Sequence, residues 1–105
     1  MFALGLSTLL WVAGCAGHVV REEAGRVQLL LSEPRAAEVQ FASSLDGFDL
    51  HPARKIDART WEMTVAGGKE FAYFYVVDGQ VRLPDCKYRE KDEFGSYNCL
   101  FKTGP

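Results

Sequence analysis

Sustained helical spacing of apolar residues is missing from the whole sequence, which argues against helical bundles and against folds that alternate strands with helices. An excess of positive charge is missing as well. The 105 residues carry 12 Lys and Arg against 14 Asp and Glu, a net charge of −2. This balance provides no electrostatic basis for binding nucleic acid or an anionic membrane surface. We therefore expect no nucleic-acid partner.

The motifs of common catalytic, cofactor and metal sites are absent too. Gly67-Gly68 opens no helix and so forms no phosphate-binding loop. His51 has Asp49 close by but no Ser or Cys nucleophile in a recognisable turn, and neither His18 nor His51 has ligand spacing to a cysteine. The acidic residues within 85–93 lack the spacing of a calcium loop and alternate with basic residues, as in a solvated loop. We predict no catalytic residues, no metal, no cofactor and no enzymatic activity.

Charged residues are absent from the first twenty positions, although they are frequent afterwards. The apolar segment 4–13 runs into Val12-Ala13-Gly14-Cys15, in which an aliphatic residue and two small residues precede a cysteine. This ending has the form of a lipobox, where a signal peptide over residues 1–14 is removed and Cys15 takes a diacylglyceryl chain. The alternative is an uncleaved membrane helix over residues 2–20, for which the glycines in that stretch are unfavourable.

A lipidated Cys15 predicts a bacterial cell-envelope protein, held by its lipid on the periplasmic side of the outer membrane or at the cell surface. Residues 15–25 are then the lipidated cysteine and a small, polar tether. Three cysteines in an exported protein cannot all form disulfides with one another. If Cys15 is acylated, Cys86 and Cys99 are the two that can pair in an oxidising compartment. The loop that they close is worth about 3 kcal/mol in the chain-entropy model. The alternative is two unpaired, partly buried thiols.

Short β-prone runs separated by Gly, Pro and Asp fill residues 26–105. The clearest is 71–83, where aromatic and β-branched residues flank Asp78-Gly79. Asp-Gly between two such runs predicts a hairpin, since its type I′ turn needs positive φ at both central residues. The other predicted strands lie at residues 26–31, 38–43, 53–56, 61–65 and 99–101, and residues 84–97 are predicted to form a long polar loop. Six to seven short strands predict an all-β, antiparallel β-sandwich.

Alternation along these runs predicts which side chains enter the core. Trp61 belongs to an alternating strand and is expected inside, together with Tyr73, Tyr75 and Val77. Phe74 then points to the opposite face of the sheet. There it is expected to form a small aromatic patch with Phe48, Tyr97 and Asn98, unless the loop over residues 84–97 covers it.

Five motifs follow one another in a fixed order over residues 39–101. They are Val39-Gln40-Phe41-Ala42, Ser44-Leu45-Asp46-Gly47-Phe48, Thr60-Trp61-Glu62 with Val65, Tyr73-Phe74-Tyr75-Val76-Val77-Asp78-Gly79 and Gly95-Ser96-Tyr97-Asn98. In this order they resemble the glycogen-binding, family-48 carbohydrate-binding modules, which occur in the β subunit of AMP-activated protein kinase and ahead of the barrel in isoamylases and branching enzymes. The resemblance implies an immunoglobulin-like, early-set β-sandwich.

The resemblance also implies a sugar site. In that family two Trp rings stack on glucose units, and Lys and Asn bond the hydroxyls. Here Phe48 stands at the first Trp, Gln80 or Val81 at the second and Phe74 at the Lys, while Asn98 matches. A Phe ring still offers a stacking face, but with less area than Trp and without its N–H. The expected carbohydrate-binding residues are Phe48, Phe74 and Asn98, with weak or no binding of linear α-glucan.

Two functions are consistent with these observations. The first is a non-catalytic envelope lipoprotein whose carbohydrate-binding-module-like domain binds a glucan or another glycan. The second is an envelope accessory lipoprotein that binds a protein partner and has lost the sugar site. Exposure of Phe48 and Phe74 favours the first function, and burial of both favours the second.

Substitution Cys15→Ser should abolish acylation and leave an uncleaved precursor, because the thiol accepts the lipid before the peptidase acts. Labelling of cells with a radioactive fatty acid, followed by immunoblotting, measures both effects. The matched variant Cys86→Ser should still take up the label. Release of the Cys15→Ser variant as a soluble protein of mature length would contradict the lipobox interpretation.

Overall fold

The computed structural model describes residues 17–103, and within this range the chain is all-β, with ten strands and no helix. The strands are β1 (His18–Glu23), β2 (Arg26–Ser32), β3 (Val39–Ser43), β4 (His51–Pro52), β5 (Arg54–Lys55), β6 (Thr60–Ala66), β7 (Phe71–Val77), β8 (Gln80–Arg82), β9 (Tyr88–Lys91) and β10 (Tyr97–Phe101). The predicted signal peptide and Cys15 lie outside the described residues.

Within residues 17–103, no helix has the length and apolar character that crossing a membrane requires.

The strands form two antiparallel sheets. Sheet A has the order β1-β2-β6-β5, and sheet B has the order β4-β3-β7-β10-β9. Strand β8 pairs with the end of β7 that β10 leaves free. The predicted all-β, antiparallel sandwich is confirmed. It contains more than the six to seven strands expected, because several edge strands are only two to four residues long.

The core lies between the two sheets and depends on the alternation of β7. Tyr73, Tyr75 and Val77 are buried, as predicted, and Phe71 joins them. The inner face of sheet A adds Val27, Leu29, Leu31 and Trp61, and β3 adds Val39 and Phe41. The Trp61 indole N–H donates to the carbonyl of Glu33 (3.1 Å), so that this ring is buried with its polar atom paired.

The start of the domain differs from the sequence prediction. Residues 15–25 were expected to be a tether, but His18–Glu23 form β1 and pair along their whole length with β2. Ala24 and Gly25 close the hairpin as a two-residue turn with φ of 53° and 78°. This is the geometry of the Asp78-Gly79 hairpin, where φ is 49° and 85°. Ala is an uncommon residue at positive φ, and the turn therefore lacked its usual sequence signal.

The predicted loop over residues 84–97 contains another strand. Tyr88–Lys91 form β9, which pairs with β10 and extends sheet B. Its charged residues are typical of an exposed edge strand, and in the sequence they resemble a solvated loop. Cys86 and Cys99 are joined by a disulfide (S–S 2.10 Å), which confirms the predicted pairing. The bridge ties the segment before β9 to the middle of β10.

His18 links β1 to the aromatic core. Its ring centroid lies 5.8 Å from that of Tyr73 and 5.6 Å from that of Tyr75, and its Nε2 lies 3.1 Å from the Tyr75 hydroxyl. Burial lowers the pKa of His18 from 6.5 to about 4, because the apolar surroundings penalise the charged ring. Burial also raises the pKa of both tyrosines. A neutral His18 ring therefore packs β1 against the two tyrosines of β7.

Folding stability should fall as the pH is lowered from 6.5 towards 4, because His18 gains its proton in the unfolded chain before it does in the folded one. The contribution of His18 to the slope has an upper limit of about 1.4 kcal/mol per pH unit, because the folded and unfolded states differ by at most one proton on this ring. Urea unfolding at several pH values measures it. His18→Phe retains an aromatic ring and should flatten the dependence in this window. An unchanged slope in His18→Phe would show that other groups control it.

Candidate functional site

The loop after β3 places Phe48 against sheet B. The Phe48 N–H donates to the carbonyl of Ser43 (2.8 Å), and the Ser44 hydroxyl accepts from the N–H of Ala72 in β7 (3.0 Å). Phe48 has a φ of 66°, in the left-handed region that a bulky residue rarely adopts. This conformation costs about 1–2 kcal/mol, and the surrounding hydrogen bonds hold it in place. The loop is thus built to hold one aromatic ring in a fixed position.

Phe74 meets that ring on the outer face of sheet B, which we define as the face turned away from sheet A. It lies there because it alternates with the buried Tyr73 and Tyr75. The ring centroids of Phe48 and Phe74 are 5.8 Å apart, and the ring planes are within 13° of parallel. Such a pair contributes about 0.5–1.5 kcal/mol beyond its buried area. Phe48 is 38% exposed, whereas Phe74 is half-buried beneath it.

Asn98 completes a concave site, which we call the aromatic cleft. It sits in β10 opposite Glu90 of β9, so both side chains face outward. The aromatic cleft has a volume of about 410 Å³ and is lined by Ser44, Phe48, Ala72, Phe74, Glu90, Asp92, Glu93, Phe94 and Asn98. Three residues predicted from distant parts of the sequence therefore line one cavity.

Tyr97, which was expected in the same patch, is not part of the cleft. It neighbours Asn98 in β10 and therefore points to the other face of the sheet. There the Nζ of Lys91 lies 5.7 Å from its ring centroid.

The β9–β10 hairpin forms one wall of the aromatic cleft without closing it. Oδ1 of Asp92 accepts hydrogen bonds from the N–H groups of Phe94 (2.8 Å) and Ser96 (2.9 Å), which fixes the tip of the hairpin. Phe94 at this tip is 85% exposed. The sequence analysis allowed for residues 84–97 to cover this face as a loop, but it missed the hairpin because the segment carries many charges. The one available signal was Asp92-Glu93-Phe94-Gly95, a turn sequence that presents an aromatic residue.

The register of the β7–β8 hairpin decides which residue shares the face of the cleft. Val81 pairs with Val76 and lies on the outer face, where it is 65% exposed, whereas Gln80 pairs with Val77 and points to the inner side. From the sequence alone, either Gln80 or Val81 corresponds to the second Trp of the family that the chain resembles. Of the two, Val81 lies on the same face of sheet B as the aromatic cleft.

The cleft wall carries carboxylates, while the ion pairs found in residues 17–103 lie elsewhere. They join Arg54 to Glu62, Arg82 to Glu33 and His51 to Asp46. His51 thus pairs with Asp46 rather than with Asp49, its neighbour in the sequence, and this hydrogen bond lowers the pKa of Asp46. In the same range no group of three or more His, Cys, Asp or Glu is arranged to hold a metal ion.

Comparison of the chain with protein-family models and with curated protein sequences found no match.

Proposed function

We propose that the chain is a non-catalytic binding module of immunoglobulin-like, early-set type and that the aromatic cleft binds a glycan. The observation that carries this proposal is the convergence of Phe48, Phe74 and Asn98 on one open cavity. They come from a loop, from β7 and from β10, and the protein tolerates a left-handed Phe48 to bring them together. Strain of this kind occurs preferentially at functional sites.

The chemistry of the cleft suits a sugar. A pyranose ring has an apolar face that packs on an aromatic ring and a rim of hydroxyls that need hydrogen-bond partners. Phe48 supplies the exposed ring, and the Asn98 amide both donates and accepts. The carboxylates of Glu90 and Glu93 add acceptors on the opposite wall. Linear α-glucan should nevertheless bind weakly, since a Phe occupies the Lys position and a Val the second Trp position of the family.

The second candidate, binding of an envelope protein, is favoured by the strong exposure of Phe94 at the hairpin tip and by the half-burial of Phe74. Both candidates place the domain in the cell envelope through a lipid on Cys15. Because β1 begins at His18, a lipid at Cys15 would hold the domain close to the membrane. The experiments below separate the two candidates.

A glycan array probed with the purified protein tests sugar binding. We expect at least one glycan class above background, and Phe48→Ala should lower its affinity by about tenfold or more if a sugar platform loses energy on the scale of other aromatic stacking platforms. Leu50→Ala removes an exposed apolar side chain outside the cleft and serves as the matched control. No glycan bound by folded protein, or equal losses in both variants, would favour the protein-binding candidate.

Restoring the family's residues should create or strengthen binding to glycogen. The triple variant is Phe48→Trp, Phe74→Lys and Val81→Trp, in which Val81 is chosen because it lies on the outer face. Gln80→Trp in place of Val81→Trp points to the inner side and should give a smaller gain. Co-sedimentation with glycogen and calorimetry measure the effect. A well-folded triple variant without any gain would mean that the sugar site is misplaced, and tight glucan binding by the unaltered protein would contradict the expected weakness.

A further inference from the structure

Sheet A leaves part of β6 without a neighbour. Strand β5 pairs only with Trp61 and Glu62. Residues 63–66 therefore have β2 on one side and, within residues 17–103, no strand on the other. In the described part of the chain, this segment is therefore an open backbone edge.

Backbone hydrogen bonds at the two ends of β6 show which residues face this opening. On the β5 side, the carbonyl of Thr60 accepts a hydrogen bond from the N–H of Ile56 (2.9 Å). On the β2 side, the N–H of Gly67 donates a hydrogen bond to the carbonyl of Gly25 (2.8 Å). In an antiparallel strand, the N–H and C=O of one residue point to the same side, and those of the next residue point to the other side. Thr64 and Ala66 therefore direct theirs into the opening.

A groove of about 480 Å³ lies beside this edge, and its lining is mainly apolar but includes Asp46, His51 and Lys69. Phe41 of sheet B and Met63 and Val65 on the inner face of β6 line it, together with Leu45. Met63 and Val65 are only half-buried, and no strand of the described part of the chain lies beside them on this side. The groove lies where alternate side chains of an added strand would enter the sandwich.

Within the strand itself, residues 63–66 lack the features that protect the other edge strands. Within the described residues the other edge strands carry charges or proline: Arg21, Glu22 and Glu23 in β1, Pro52 in β4, Arg54 and Lys55 in β5, Arg82 in β8, and Arg89, Glu90 and Lys91 in β9. Charged residues and proline are the usual means by which edges avoid pairing with other chains. Residues 63–66 are Met, Thr, Val and Ala, which carry neither.

We propose that the open edge of β6 binds an extended segment of a partner protein. The segment continues the position of β5, exchanges backbone hydrogen bonds with Thr64 and Ala66, and inserts an apolar side chain between Phe41 and Val65. Only a polypeptide in strand conformation supplies alternating N–H and C=O groups at this spacing, so a lipid or a sugar does not match the edge. This site is separate from the aromatic cleft and does not depend on glycan binding.

Peptides selected against the full chain from a phage-displayed library of short random sequences test the proposal. Selected peptides should alternate apolar with other residues, and their binding should slow amide exchange at Thr64 and Ala66. Thr64→Pro removes one N–H that faces the opening and leaves the β2 ladder intact. The affinity of the selected peptides for this variant should be lower by at least about tenfold, which corresponds to about 1.4 kcal/mol of binding free energy. N-methylation of the peptide at one set of alternate positions should abolish binding to the unaltered protein.

The Thr64→Val variant keeps the backbone N–H and should bind the selected peptides as tightly as the unaltered protein does. Glu22→Pro is the matched proline control, placed at the open edge of β1, and should also bind normally. The proposal is overturned if selection yields no binders, if Thr64→Pro and Thr64→Val bind alike, or if exchange slows elsewhere. Concentration-dependent self-association that Thr64→Pro removes would assign the edge to a second copy of this chain, and so would also overturn the partner proposal.

Discussion

The alternation of side chains along β7 is the constraint on which the rest of the structure depends. One face of this strand gives the core Phe71, Tyr73, Tyr75 and Val77, and the other gives the aromatic cleft Phe74. Since a shift of one residue would exchange the two faces, the register against β3 defines the core and the cleft together. Neighbours on both edges hold that register, with β3 on one side and β10 and β8 on the other.

The domain is small, and three specific contacts between residues far apart in the chain supplement its core. A chain of this size buries only about 60–65% of its unfolded surface. The Cys86–Cys99 bridge ties the segment before β9 to β10, and His18 docks β1 on the tyrosines of β7. Asp78 adds a third tie, since its Oδ1 accepts from the N–H groups of Ala37 and Glu38, both at 2.9 Å. The hairpin that defines β7 is thereby joined to the entry of β3.

The two candidate binding surfaces arise in different ways. On sheet B the outer face between the Phe48 loop and the β9–β10 hairpin becomes the aromatic cleft. On sheet A, β5 is too short to pair with the uncharged end of β6, and no other strand of residues 17–103 covers it. The first surface offers rings and hydroxyl-bonding groups, and the second offers backbone groups, so they suit ligands of different chemistry.

Local patterns in the sequence determined the strand class, the Asp78-Gly79 hairpin and the inward direction of Trp61, Tyr73 and Tyr75. These features depend on period and turn chemistry, which neighbouring residues express. The cysteine count indicated a pairing of Cys86 with Cys99 but left unpaired thiols as an alternative, and the structure decided for the disulfide. Strands β1, β4 and β9 were not recognised, because an Ala-Gly turn, a two-residue strand that ends in proline and a charged edge carry no strong local signal. Only the tertiary structure decided that Phe48, Phe74 and Asn98 line one cavity and that Tyr97 does not join them. It also decided that β6 has an open edge among residues 17–103. Those outcomes follow from register and from which strands stop short, and both are set by contacts between residues far apart in the chain.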